Sequence, residues 1–166
     1  MSDSEQLAAL SHLHRRFESE GVAYWLFGGW AVDFHAGALT RPHGDLDLAI
    51  WLRDFPRVAQ LLEHDGWTRE EGAQDGSAAF TRGDVSLELA FLQRDDADSE
   101  PYTPLRDAQR ATWAAGAFGR DVLTLRGVRA RVITLAALRE EKAGAHDDQV
   151  TAAKDRQDAA VLARLG

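Results

Sequence analysis

The sequence predicts an α+β fold, because helical and strand patterns both occur along its 166 residues. Apolar residues recur at helical spacing over 4–20, and helical spacing returns at the end of the chain. Two segments between them, 45–51 and Val85–Leu92, place apolar residues at every second position, which is typical of strands. A chain of this length has room for one domain, with or without a small appendage.

The segments between these patterns supply the other predicted elements. A short apolar run ends at Gly28-Gly29 and is typical of a buried strand. A helix with Pro56 in its first turn follows the strand that contains Asp45, since proline is favoured at that position. In chain order the prediction is a helix at 4–20, a strand at 22–27, helices at 30–38 and 56–64 around the strand at 45–51, and strands at 67–71, 78–82 and 85–92.

The last third of the chain is predicted to form a small, mostly helical part. The segment 93–104 is polar and acidic and contains two prolines, which indicates a loop or linker. After it come a hairpin at 122–133, which turns at Arg126-Gly127, and helices at 135–143 and 149–165. We therefore predict one domain over 1–104 and a C-terminal region, a hairpin plus helices, over 105–166.

Composition and missing motifs narrow the classes of function. The chain has no cysteine, which excludes disulfides, thiolate metal sites and a thiol nucleophile. Its formal net charge of −8 argues against broad nucleic-acid binding, which needs clustered Lys and Arg. No apolar run is long enough to cross a membrane, and no secretory signal is recognisable, so a cytoplasmic protein is expected. The GxxxxGK[ST], GxGxxG and GxSxG motifs are also missing, which disfavours P-loop, Rossmann and serine-hydrolase classes.

The strand at 45–51 carries two carboxylates, Asp45 and Asp47, on one face. Strands are depleted in Asp, so a pair in mid-strand is unusual. Carboxylate oxygens at close range suit Mg²⁺, and two such ions can hold the attacking and leaving oxygens of phosphoryl transfer. Taken alone, the pair fits equally well two exposed residues on the wet face of an edge strand.

A third carboxylate, Glu88, lies within the apolar strand Val85–Leu92. The alternation places it on the opposite face from Leu87 and Leu89. If the two acidic strands are neighbours, Glu88 shares a face with Asp45 and Asp47. Three carboxylates in one place repel one another unless a cation neutralises them, so this arrangement predicts a metal site. The alternative is a lone exposed Glu on an antiparallel strand.

The glycine pair Gly28-Gly29 lies where a strand passes into a helix, a place where backbone N–H groups can bind an anion. Arg41 and His43 lie between this pair and the acidic strand. Arg41 could contact phosphate oxygens, and His43 could bond a phosphate or orient an Asp. The alternatives are a plain tight turn, a surface charge and a loop histidine. We interpret Asp33, one turn into the helix, as structural support that holds Arg41 or caps a loop.

These residues carry a resemblance to a known family. The stretches Tyr24-Trp25-Leu26-Phe27-Gly28-Gly29-Trp30-Ala31-Val32-Asp33 and Thr40-Arg41-Pro42-His43-Gly44-Asp45-Leu46-Asp47 resemble the small aminoglycoside and lincosamide nucleotidyltransferases, within the DNA polymerase β-like superfamily. The combination of a glycine pair with Arg-x-His-x-Asp-x-Asp is far more specific than either half. The similarity is strongest over 22–52, and after Gln93 only a helical tail with Lys142 and Lys154-Asp155-Arg156-Gln157-Asp158 is similar.

The resemblance implies a mixed β-sheet nucleotidyltransferase domain flanked by helices, which moves AMP from ATP to a drug hydroxyl with the help of Mg²⁺, two ions being expected. By position it implies metal ligands at Asp45, Asp47 and Glu88, the last as ligand, general base or both. Many relatives have Asp at the position of Glu88. The implied nucleotide contacts are Gly28, Gly29, Arg41, His43 and Lys142.

The acceptor is less defined by the sequence. The acidic segment 95–100 could receive a polycation such as an aminoglycoside, or it could be a solvated loop. A lincosamide would prefer aromatic residues, for which Trp113 and Phe118 are candidates, although both also suit a core. Other hypotheses are a regulator that attaches AMP to a protein, as in a toxin–antitoxin pair, and a nucleotide-binding module without catalysis. A homodimer is possible, since a second copy could complete a substrate cleft.

Overall fold

The centre of the fold is a mixed five-stranded sheet. The computed structural model describes residues 2–144 and 149–165. The strands of the central sheet are β1 (Tyr24–Phe27), β2 (Leu46–Trp51), β3 (Thr68–Glu70), β4 (Ser77–Arg82) and β5 (Val85–Leu92). They lie in the order β1-β2-β5-β4-β3, and all neighbours are antiparallel except β2 and β5, which run parallel. The predicted α+β class with a mixed sheet is confirmed.

The described residues form five α-helices: α1 (Asp3–Glu20), α2 (Gly28–Ala36), α3 (Phe55–His64), α4 (Leu135–Lys142) and α5 (Gln149–Ala163). The first helix begins where the Ser2 hydroxyl accepts a hydrogen bond from the Glu5 N–H, and it ends at Gly21 in the left-handed conformation. Its apolar residues are buried, as the helical spacing predicts. The second helix begins at Gly28 rather than at Trp30, so the glycine pair forms its first turn and does not precede it.

Two small antiparallel sheets follow in the C-terminal half. One pairs β6 (Tyr102–Pro104) with β7 (Arg110–Thr112), and the other pairs β8 (Val122–Leu125) with β9 (Val128–Arg131). The predicted hairpin at Arg126-Gly127 is confirmed. The prediction of a loop over all of 93–104 is wrong at its end, where β6 forms and pairs with β7. The prolines and charged residues of this segment make the strand hard to recognise from the sequence.

The segments before and after residue 104 are in direct contact. The Ile133 N–H donates to the Leu26 carbonyl oxygen at 3.0 Å, and the Trp25 indole donates to the Gly119 carbonyl oxygen at 2.8 Å. Helix α2 touches both C-terminal helices, α4 and α5. The division into 1–104 and 105–166 stays a prediction. In the described part of the chain, none of the helices combines the length and the apolar character that a bilayer crossing requires.

Candidate active site

The three predicted carboxylates meet on one face of the central sheet. Strands β2 and β5 are parallel neighbours, and their register sets Asp47 directly beside Glu88. Asp45 lies just before β2. One carboxylate oxygen from each of the three residues lies within 4.8 Å of the others. The condition set by the sequence, that the two acidic strands be neighbours, is therefore met.

The electrostatics of this carboxylate cluster fit a cation. Burial, followed by the charges of Asp45 and Glu88, raises the pKa of Asp47 well above its usual range. Burial and the charge of Asp45 likewise raise the pKa of Glu88. Carboxylates that disfavour one another's charge at this separation are stabilised by a divalent ion, and oxygen-only ligation suits Mg²⁺. The residues present thus fit the metal that the family resemblance implies.

The glycine pair is required by the side chains that pack against it. Gly28 has a φ of +73°, and a Cβ there would overlap the Asp47 carboxylate. A Cβ on Gly29 would lie 2.5 Å from His43 Nδ1 and 2.6 Å from an Arg41 guanidinium nitrogen. The sequence suggested close approach of a phosphate as the reason for these glycines. The structure adds a second reason, since any larger residue would displace the site's own side chains.

Gly28→Ala should therefore damage the carboxylate cluster, whereas Gly37→Ala should not. Both glycines adopt nearly the same left-handed φ, +73° and +72°, but a Cβ on Gly37 meets nothing within 4 Å. We expect each variant to lose about 1–2 kcal/mol of unfolding free energy to backbone strain. Only Gly28→Ala should also lose Mg²⁺ binding, measured by calorimetry. Equal Mg²⁺ affinity in the two variants would contradict the packing argument.

His43 is held by a buried carboxylate and leaves one nitrogen unpaired. Its Nε2 lies 2.7 Å from Asp33, which also accepts a hydrogen bond from the Thr40 hydroxyl. The Gln6 amide donates to the His43 carbonyl oxygen at 2.9 Å. Nδ1 of His43 is buried and has no hydrogen-bond partner within 2–144 and 149–165. Asp33 thus supports the loop as interpreted from the sequence, but through His43 and Thr40 rather than through Arg41.

Arg41 and Lys142 meet at a carboxylate from the last helix. Asp158, which is fully buried, accepts two hydrogen bonds from the Arg41 guanidinium at 2.8 and 2.9 Å. Lys142 Nζ lies 3.0 Å from Asp155 and 3.2 Å from the same Asp158. Helix α5 is thereby fastened to the loop between α2 and β2.

Two clefts adjoin the carboxylate cluster. The first, the polar cleft, measures about 570 Å³ and is lined by all eight residues that the resemblance implies: Gly28, Gly29, Arg41, His43, Asp45, Asp47, Glu88 and Lys142. The second, the aromatic cleft, measures about 520 Å³ and is lined by the rings of Phe27 and Trp113, several aliphatic side chains and the carboxylates of Asp75, Glu140 and Glu141. Glu88 and Glu141 line both clefts, and of these two Glu88 belongs to the carboxylate cluster.

A family model described as aminoglycoside-2''-adenylyltransferase matches residues 9–162. The chain belongs to this family. It is 41% identical over 54 residues to a lincosamide resistance protein of Staphylococcus haemolyticus, a match over 32% of this chain and 34% of that protein. A 2''-aminoglycoside nucleotidyltransferase of Klebsiella pneumoniae is 31% identical over 48 residues, 29% of this chain and 27% of the relative. These matches span about a third or less of the curated relatives' length.

Comparison with solved structures shows that the fold of this family member is similar to theirs over the whole chain. A lincosamide antibiotic adenylyltransferase with lincomycin bound superposes with a TM-score of 0.75 at 20% identity, over 100% of this chain and 99% of that one. The antibiotic-resistance factor ANT(2'')-Ia gives 0.73 at 18% identity, over 99% and 86%. At such identities the likeness establishes the nucleotidyltransferase fold.

The structure brings the predicted site residues together around one cleft, but the sequence analysis missed other residues of its lining. Glu141 and Lys154 line the polar cleft; the similarity of the helical tail gave a signal for Lys154, whereas nothing in the sequence indicated Glu141. The acidic segment 95–100 contributes no described residue to either cleft, and its Asp95 pairs with Arg110 at 2.9 Å. Trp113 lines the aromatic cleft, while Phe118 packs behind it at a ring separation of 5.1 Å.

Proposed function

We propose that this family member transfers AMP from ATP to a hydroxyl group of a small antibiotic. The observation that carries the proposal is the position of Glu88 between the polar and the aromatic cleft. A nucleotide in the polar cleft and an acceptor in the aromatic cleft would meet at this carboxylate. A two-cleft site with a shared carboxylate suits group transfer between two bound molecules better than simple nucleotide binding.

In the proposed reaction, Asp45, Asp47 and Glu88 would hold one or two Mg²⁺ ions. Bound ions would supply charge stabilisation for the attacking and leaving oxygens. The acceptor's oxygen forms a bond to the α-phosphorus, its proton passes to Glu88 or to solvent, and the bond to the bridging oxygen breaks to release pyrophosphate. Gly28, Gly29 and His43 would face the triphosphate.

The charge of the polar cleft supports a metal-dependent nucleotide site. Its described lining includes five carboxylates and only three cations, which are Arg41, Lys142 and Lys154. A triphosphate adds further negative charge, so its binding without a divalent ion is electrostatically unfavourable. We therefore expect ATP to bind in its Mg²⁺ complex.

The aromatic cleft indicates the chemical class of the acceptor. Phe27 and Trp113 meet edge to face at 5.0 Å, and the Trp113 indole donates to the Thr103 hydroxyl at 2.9 Å, which fixes the ring. Asp75 and Glu140 add negative charge to the same cleft. A ring face beside carboxylates suits a molecule that carries both an apolar portion and an amine. Lincosamides and aminoglycosides, the antibiotics of the relatives, both carry amines.

The test is pyrophosphate release from Mg²⁺·ATP in the presence of aminoglycosides or lincosamides. We expect release with one of these drug classes and none without a drug or in Asp45→Asn. Strong weakening of drug binding by salt would indicate an aminoglycoside, because a polycation is held mainly by charge. A lincosamide should be less sensitive to salt.

If no drug supports release although Mg²⁺·ATP binds, the small-molecule acceptor is wrong. Transfer of labelled AMP to a protein would then favour the regulatory hypothesis, and a lack of any transfer would favour a silent binding module. Homodimerisation, a lack of nucleic-acid partners and a cytoplasmic location stay predictions.

A further inference from the structure

Two of the three cations in the polar cleft are already neutralised within the protein. Arg41 and Lys142 share Asp158, and Lys142 also pairs with Asp155. The side chains of Arg41 and Lys142 are only 10% and 7% exposed, and that of Asp158 is fully buried. The group of four therefore holds equal numbers of positive and negative charges.

Neither cation can leave this group cheaply. Burial lowers the pKa of Lys142, but the hydrogen bond to Asp155 and the nearby carboxylates outweigh it and raise the pKa overall. If either cation moved to a bound phosphate, the buried Asp158 would lose part of its charge compensation, which is costly in a buried position. Arg41 and Lys142 thus shape the wall of the cleft and add little free positive charge to it.

Lys154 is the third cation of the cleft, and its surroundings differ. Its side chain is exposed, whereas those of Arg41 and Lys142 are nearly buried. Within residues 2–144 and 149–165, no carboxylate lies within ion-pair distance of its ammonium group. It lies on α5 directly before Asp155, so the buried pairs of Asp155 and Asp158 fix its place on the rim of the cleft. A flexible, unpaired lysine on a fixed helix suits contact with phosphate oxygens.

We propose that Lys154 binds the phosphate groups of the nucleotide. This inference rests on the proposed function only in taking the polar cleft as the nucleotide site. Lys154 would supply the unpaired positive charge that the cleft otherwise lacks, while the buried group around Asp158 holds its helix in position.

The test compares Lys154→Ala with Lys154→Arg and with Arg156→Ala in the full chain, by calorimetric titration with Mg²⁺·ATP and with adenosine. Arg156 is a matched control, because it is exposed on the same helix but does not line the polar cleft. A charged hydrogen bond predicts roughly a 10- to 100-fold weaker Mg²⁺·ATP complex for Lys154→Ala. Adenosine affinity should not change, Lys154→Arg should recover most of the loss, and Arg156→Ala should bind as the parent protein does.

Equal Mg²⁺·ATP affinity for Lys154→Ala and the parent would overturn the inference, and so would an equal loss for adenosine, which would indicate a structural effect. An equal loss in Arg156→Ala would overturn it as well, since general helix charge would then explain the result. The titration contains no acceptor, so its outcome is independent of drug-dependent pyrophosphate release. If Lys154→Ala weakens Mg²⁺·ATP binding while no drug supports release, the inference stands and the proposed acceptor falls.

Discussion

Replacing Asp47 with Asn should abolish AMP transfer and, in the absence of Mg²⁺, make the protein more stable. Asp47 lies beside Glu88 in the register of β2 and β5, and burial and the charges of Asp45 and Glu88 raise its pKa. Loss of this proposed metal ligand should remove about 10³-fold or more of the transfer rate, because the proposed reaction relies on Mg²⁺ for charge stabilisation in the transition state. The same change removes a half-buried charge that, without the ion, destabilises the folded protein.

The opposite signs of these two effects distinguish a metal site from an ordinary structural cluster. We expect EDTA-treated Asp47→Asn to melt above the EDTA-treated parent, and added Mg²⁺ to stabilise the parent much more than the variant. Asp84→Asn, an exposed turn residue, should change neither property. Transfer retained in Asp47→Asn, or a lower melting temperature than the parent in EDTA, would show that the cluster is not organised around a cation.

The sequence predicted this cluster well because strand alternation is a local property. Each of the two strands shows by its own pattern which side chains share a face, and only the adjacency of the strands was left open. In the structure β2 and β5 are adjacent and parallel, which sets Asp47 beside Glu88. The place of Gly28 was predicted on similar local grounds, but its packing against Asp47 involves two elements and was not visible in the pattern.

The partner of Arg41 shows where such reasoning fails. The sequence suggested Asp33, a near neighbour, as a carboxylate that could hold Arg41, whereas the structure uses Asp158, which is 117 residues away. Nothing in the pattern of α5 identifies which distant loop its buried carboxylates will meet, because helical spacing defines a face but not its partner. The pairing of β6 with β7 was missed for a related reason, since Pro104 and the acidic residues before β6 make the segment resemble a loop.

The distant pairing of Asp158 predicts a large loss of stability in Asp158→Ala. Removal of this carboxylate takes from Arg41 two of its hydrogen bonds and from Lys142 one of its two carboxylate partners, and both cations are largely buried. Removal of one partner of a buried ion pair costs about 3–5 kcal/mol of unfolding free energy, because the other charge stays buried without compensation. We expect a decrease of that size in the unfolding free energy from urea denaturation at pH 7, against a negligible change for the exposed Asp84→Ala.

The sign of the pH dependence provides an independent check of the same contact. Burial raises the pKa of Asp158, but the hydrogen bonds and charges of Arg41 and Lys142 outweigh it and lower the pKa below its usual 3.8. A carboxyl with a lowered folded-state pKa contributes stability above its unfolded value and loses it as the pH falls through the folded one. The stability difference between the parent and Asp158→Ala should thus be constant from pH 7 to about pH 5 and shrink below about pH 4.

A double variant, Asp158→Ala with Arg41→Met, should lose less unfolding free energy than the sum of the two single variants, because each single change leaves the other charge buried and unpaired. A difference that stays constant into the acid range, or strictly additive losses, would show that Asp158 stabilises the fold by packing alone.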